Sequence, residues 1–321
     1  MTRMSLPRPL LLAATALAFT VVVLGAYVRL SDAGLGCPDW PGCYGQATPW
    51  HAKDHIDAAL ATDPEGPVSH AKAWKEMLHR YLAGGLGLVI LAIAGLAWWR
   101  LPPARRVLPG AILVLVIFQA LLGMWTVTEQ LRPVVVVSHL LGGMSTLALL
   151  AWLAAEEGRA RRVPAAAMPV GLARAALALL ACQVALGGWV SANYAALACP
   201  DLPTCQGAWW PQADFALAFG VGHRLGELSA GALTAIHLAH RLGAVLVLAS
   251  GLLLAWRLLR IPGLAVAGVG LLAAVSLQFL LGVANVAFSL PLPVAVGHNA
   301  GAALLLLVLV WINAALARSR P

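Results

Sequence analysis

Charge is what this sequence has least of. Only 11% of its 321 residues are charged, 61% are hydrophobic, and the mean hydropathy is +0.84. Soluble domains carry about a quarter charged residues, so the composition argues against a water-soluble globule and for a chain that crosses a membrane repeatedly. The 21 Lys and Arg give a net charge of +8. They collect in short connections between apolar runs and build no single basic face, which argues against a nucleic-acid partner. Acids number 13, and among the apolar runs only the second holds one inside, Glu76. That scarcity argues against a di-iron bundle site, which needs further Glu ligands and a second Glu-x-x-His. Histidine is likewise too sparse at the membrane surface for a multi-histidine non-haem iron site.

Apolar runs of roughly 20 residues, the length a helix needs to cross the hydrocarbon, are plentiful. They are Leu10 to Val28, Ala73 to Trp98, Val107 to Val127, Val134 to Ala154, Ala167 to Val190, Gly231 to Trp256, Leu264 to Val286 and Val294 to Leu316. The connections holding Arg100, Arg105 and Arg106, then Arg159, Arg161 and Arg162, then Arg257 and Arg260, fall on one side with Arg3, Arg8, Arg318 and Arg320. Positive charge marks that side, with both termini, as cytoplasmic. Two long polar connections, Arg29 to Lys72 and Ser191 to Ala230, fall outside. The first run could instead be a signal peptide, but it is long for one and the internal repeat requires it as a helix.

That repeat is the main organising feature. Leu24-Gly25-Ala26-Tyr27-Val28 through Cys37-Pro38-Asp39-Trp40-Pro41-Gly42-Cys43 aligns without gaps on Leu186-Gly187-Gly188-Trp189-Val190 through Cys199-Pro200-Asp201-Leu202-Pro203-Thr204-Cys205. The offset is 162 (199 − 37). Further on, His79-Arg80 matches His240-Arg241, Gln119 with Leu122-Gly123 matches Gln278 with Leu281-Gly282, and His139 matches His298. The expected fold is therefore an all-α polytopic membrane protein of two tandem pseudo-symmetric four-helix bundles, 1–163 and 164–321, in one orientation. Gly84, Gly85, Gly87, Gly142 and Gly143 read as helix-packing positions, with room for a flat cofactor as the alternative.

His79, His139, His240 and His298 lie at matching depths near the outer ends of the second, fourth, sixth and eighth spans. Each bundle then presents two imidazoles from two helices at one level, which suits the two axial ligands of a haem iron. Glu76 stands three residues before His79 and shares its helical face. In the second half His237 takes that place. The carboxylate makes the first bundle the better candidate for chemistry. His51, His55 and His70 belong to an external loop and read as solvated, and His223 precedes the sixth span near Glu227.

Of five cysteines, Cys37 with Cys43 and Cys199 with Cys205 each enclose five residues in an external loop. Local disulfides follow, structural or redox-active. Zinc would need four ligands from separate loops. Cys182 reads as a small apolar filler of the fifth span.

Trp74-Lys75-Glu76-Met77-Leu78-His79-Arg80-Tyr81-Leu82-Ala83-Gly84, Ile236-His237-Leu238-Ala239-His240-Arg241-Leu242-Gly243, Gly34-Leu35-Gly36-Cys37-Pro38-Asp39-Trp40-Pro41 and the late His139 and His298 together resemble the haem A synthase family of bacteria and mitochondria. The likeness spans nearly the whole chain. It implies an oxidoreductase of the bacterial inner membrane that oxidises the C8 methyl of haem O to the formyl group of haem A for terminal oxidases. It further implies His79 and His139 as ligands of the substrate haem, His240 and His298 as ligands of a haem b, and Glu76 as the critical acid. Arg80 and Arg241 become candidates for haem propionates or interface anchors. Implied partners are haem O, membrane lipid, the farnesyltransferase that makes haem O, oxidase assembly factors and a further copy of the chain. A quinol-linked haem b electron carrier, or a haem-handling assembly protein, would use the same histidines without needing Glu76.

Overall fold

The computed structural model describes residues 5–158 and 169–318. Among the described residues, eight helices are long and apolar enough to cross a membrane: α1 (Arg8–Leu30), α3 (His70–Arg100), α4 (Pro103–Thr128), α5 (Pro133–Glu156), α6 (Val170–Ala192), α8 (Ala230–Leu259), α9 (Ala265–Ala287) and α10 (Leu292–Arg318). Two short helices, α2 (Lys53–Thr62) and α7 (Phe215–Ala218), lie in the long connections. Each expected span is found, with α3 and α8 reaching farther at both ends. The expected bundle boundary at 163 and the Arg159–Arg162 cluster lie outside the described residues.

Helix ends repeat between the halves because the end chemistry does. Ser69 and Ser229 cap α3 and α8, each hydroxyl accepting a backbone N–H, from Lys72 at 3.2 Å and Ala232 at 3.3 Å. Such a cap satisfies one of the free amides of a helix start. Pro103 and Pro133 open α4 and α5, where a missing N–H costs nothing. The tight links after α4 and α9 turn through Gln130-Leu131 and Ser289-Leu290, all with positive φ.

α1, α3, α4 and α5 pack in a closed ring, and α6, α8, α9 and α10 in a second one. The rings meet where α5 touches α6 and α10, and where α10 touches α1. α10 is accordingly the most enclosed span, with 56% of its apolar window buried against 17% for α4. Leu147 and Leu150 of α5 and Leu254 and Leu258 of α8 belong to one core that joins the halves. At the cysteine-loop end Arg29 of α1 crosses to the other half, donating to the Tyr194 hydroxyl at 2.8 Å and the Ser191 carbonyl at 2.7 Å. Tyr194 in turn donates to Asp32.

The glycines divide. Gly142 and Gly143 pack against Gln119, as read from the sequence, whereas a Cβ at Gly84, Gly85 or Gly87 would meet open space. Small residues here do not mark close helix contacts. Cys182 lies exposed on α6 and fills no interior gap. A small apolar thiol suits a lipid-facing position equally well.

Both cysteine pairs are disulfides, Cys37–Cys43 and Cys199–Cys205, and their loops have the same internal design. Asp39 accepts the N–H groups of Tyr44 and Gly45, and Asp201 those of Gln206 and Gly207. Peptide bonds Trp40-Pro41 and Leu202-Pro203 are both cis. The Thr204 hydroxyl foremost, then the two amides, hold the Asp201 carboxyl below the usual carboxylate range. A depressed folded value means that its contribution is complete above the ordinary carboxylate pKa and is lost as pH falls through the folded one. Amide protection at Gln206 and Gly207 is therefore expected to hold from neutral to mildly acidic pH and to fall in strong acid. Asp201→Ala should lower it at neutral pH, as read by hydrogen exchange.

The connection from Trp50 to Ser69 is ordered around α2, whose Ile56 is buried in a cluster with both cysteines of the first loop. His51 and His55 are exposed, in line with the solvated reading, and each loop histidine also has a neighbour in the protein. His70 contacts Asp57 at 2.6 Å, His55 stacks on Tyr44, and His51 contacts Thr48.

Candidate functional site

The four histidines sit within about the first three turns of α3, α5, α8 and α10, counted from the cysteine-loop end. In each ring the two histidine-bearing helices are separated by the other two, and those supply glycines. An added Cβ at Gly25 of α1 would lie 2.9 Å from the His79 ring, and one at Gly123 of α4 would lie 3.3 Å from His139. In the second ring the distances are 3.1 Å from Gly187 of α6 to His240 and 3.2 Å from Gly282 of α9 to His298. Every imidazole thus lies over a glycine, at a separation a larger residue would close. This fourfold pairing was in the sequence as Gly25 and Gly187, Gly123 and Gly282 in the repeat, but only the packing shows its meaning.

The ring centroids of His240 and His298 are 6.4 Å apart, with planes at 81°. A spacing of that size leaves room for one metal ion between the two imidazoles. His79 and His139 are near enough to interact electrostatically. The backbone of Val21, Gln119 and Gln278 stands beside the rings of His79, His139 and His298. An outer backbone partner on one ring nitrogen suits an imidazole that binds a metal through the other. No three His, Cys, Asp or Glu side chains gather into a metal cluster among the described residues.

Glu76 is buried, and its carboxylate faces the first cysteine loop. Oε2 accepts the Cys37 N–H at 2.9 Å, and Oε1 accepts from Arg80 Nη2 at 2.5 Å. Arg80 also donates to the carbonyls of Asp39 at 2.8 Å and Gly42 at 2.5 Å. The result is one buried network of helix α3, an ion pair and a disulfide loop, which the sequence pattern alone did not disclose.

The chain from residue 8 to 310 matches the model of a family described as cytochrome oxidase assembly protein, COX15-CtaA. It belongs to the COX15-CtaA family. A Shewanella oneidensis protein named heme A synthase is 46% identical over 303 residues, covering 91% of each chain. One of the same name from Rhizorhabdus wittichii is 29% identical over 329 residues, covering 94% of this chain and 91% of its own. A third, from Halalkalibacterium halodurans, is 29% identical over 214 residues, 64% of this chain and 66% of its own.

In this COX15-CtaA chain the second half answers the first with different chemistry. Arg241 donates to the carbonyls of Thr204 at 2.8 Å, Cys199 at 2.8 Å and Asp201 at 2.9 Å. Where Glu76 would be, His237 lies with Nδ1 3.0 Å from the Ala195 carbonyl. Arg80 and Arg241, candidates for haem propionates or interface anchors, each clasp a cysteine loop, whose carbonyls converge on the guanidinium. His223, outside both pairs, contacts Asn193 at 2.8 Å and sets its edge on Trp189.

Proposed function

We propose that this chain is a haem A synthase, an oxidoreductase that takes haem O as substrate and oxidises its C8 methyl to a formyl group. The observation that carries the reading is the asymmetry of the site: four half-buried, glycine-cradled histidines in two pairs, with Glu76, the one buried carboxylate among the described residues, beside one of them. Membership of the family and the names of its relatives point the same way.

On this reading His79 and His139 hold the substrate haem in the first bundle, and His240 and His298 hold a resident haem b in the second. The first bundle is residues 1–163 and the second 164–321. A bound haem b supplies one-electron transfer. Successive oxidations of a methyl group release protons, and Glu76 accepts them or orients water at the reacting edge. Arg80 steers that carboxylate through its ion pair and ties it to the Cys37–Cys43 loop. The cysteine loops lie on the outer face, and the arginine-rich end lies in the cytoplasm.

The test is extraction of porphyrins from membranes that contain the chain and are supplied with haem O. Haem A and its hydroxylated precursor are the expected products. Two unmodified haems b in place of them would leave an electron carrier and remove the synthase reading.

A further inference from the structure

A repeated device surrounds three of the histidines. Gln119, Gln183 and Gln278 each precede by four residues the glycine under a ring, namely Gly123, Gly187 and Gly282, and so share its helical face. Each carboxamide presses on the glycine three residues after the histidine, Gly142, Gly243 or Gly301, where a Cβ would strike its Oε1. Gln183 Nε2 is 2.9 Å from both His240 Nδ1 and the His240 carbonyl. Gln119 Nε2 donates to the His139 carbonyl at 2.8 Å, and Gln278 Nε2 lies 3.4 Å from His298 Nε2. In all three the amide oxygen is buried without a partner.

Three unpaired buried oxygens at equivalent places call for a physical reason, because such groups are costly. A half-turn of the Gln183 carboxamide brings Oε1 toward His240 Nδ1, at the expense of the bond to the His240 carbonyl. Oε1 then accepts the Nδ1 proton and leaves Nε2 with a free lone pair, the state in which imidazole binds a metal.

The fourth quarter lacks the device. Val21 stands where the repeat would place glutamine (183 − 162), and Leu82 stands where it would place glycine (243 − 161). Gly25 still underlies His79 and the Val21 backbone stands beside its ring, as the Gln119 and Gln278 backbones stand beside His139 and His298, but valine brings no side-chain amide. This is also the quarter that contains Glu76. A substrate haem must enter and a product haem must leave, so one of its two ligands has to let go.

We infer that Gln119, Gln183 and Gln278 are positioning residues that fix three of the four axial imidazoles, and that His79, left without one, is the ligand that releases when haem is exchanged. The inference rests on the reading of the histidines as haem ligands. Outer partners of metal-bound histidine change affinity by about 10- to 100-fold when removed.

The test uses the purified full chain with haem bound, and each haem is assigned by comparison with His79→Ala and His298→Ala chains. Gln183→Met keeps the length of the side chain and removes its amide. It is expected to alter the low-spin electron paramagnetic resonance signature of the second-bundle haem and to speed its transfer to apomyoglobin about tenfold or more. Val21→Gln with Leu82→Gly installs the missing device and is expected to slow transfer from the first bundle about tenfold. An unchanged signature and transfer rate in Gln183→Met overturn the inference. So does wild-type release from the doubly substituted chain, which decides the matter if Gln183→Met does not fold. A wild-type chain without any bis-histidine low-spin haem would instead remove the functional reading beneath it.

Discussion

Glu76→Gln is expected to abolish formation of haem A while all four histidines keep their haems. The substitution preserves length and one accepting oxygen, but the amide NH2 that replaces the other oxygen can accept from neither the Cys37 N–H nor Arg80, so one of the two bonds is lost together with the ion pair. It also removes the ability to take a proton. General-base catalysis typically contributes about 10²- to 10⁴-fold, so each oxidation step should slow by that order and little product should accumulate. Glu76→Ala is expected to do the same and to cost stability as well. It leaves Arg80 in a site where only 12% of its side chain is exposed. Breaking a buried pair from one side costs about 3–5 kcal/mol, and the loop carbonyls of Asp39 and Gly42 can offset part of that. Porphyrin analysis together with thermal unfolding separates the two effects. If Glu76→Gln makes haem A at the wild-type rate and only Glu76→Ala fails, the carboxylate is a strut for the cysteine loop and not a proton acceptor.

Much of this arrangement was legible in the sequence, for identifiable reasons. Membrane spans are long, uniform apolar runs bounded by arginine, so their number and approximate ends follow from composition alone. The duplication then turned four isolated histidines into two pairs, and the Glu76-to-His237 exchange into a difference between bundles. Side-chain direction was another matter. Arg80 and Arg241 look alike whether they meet a propionate or a peptide carbonyl, and only the path of the cysteine loop brings Cys199, Asp201 and Thr204 onto Arg241. Glu76 stands three residues before His79 on α3, but its bond to Cys37 spans 39 residues of sequence. No helical periodicity encodes such a contact. The order of Trp50 to Ser69 was hidden similarly, since α2 is held by one buried Ile56 and a few polar pairs and by no strong amphipathic pattern.

The glycines under the rings give the sharpest way to address one bundle at a time. Gly187→Val is expected to remove the second-bundle haem and leave the first, and Gly25→Val to do the reverse. A Cβ at Gly187 would lie 3.1 Å from His240 Cε1, and one at Gly25 would lie 2.9 Å from His79 Cε1, before valine's two methyls are counted. The atom struck belongs to a planar ring on a short stem, so the ring must swing away as a whole. Overpacking of this kind costs about 1–3 kcal/mol, which a protein of eight packed spans can survive. Ligation is less forgiving, because an imidazole turned from its axis no longer points a lone pair at the iron. Gly95→Ala, on α3 where a Cβ meets open space, is the control and should retain both haems, since alanine in a helix interior is favoured over glycine by roughly 0.5–1 kcal/mol. Reduced-minus-oxidised spectra of the three chains read the outcome. Loss of both haems in Gly187→Val would mean that the bundles do not hold their haems independently. Retention of both would mean that the glycine cradles do not set the position of the rings.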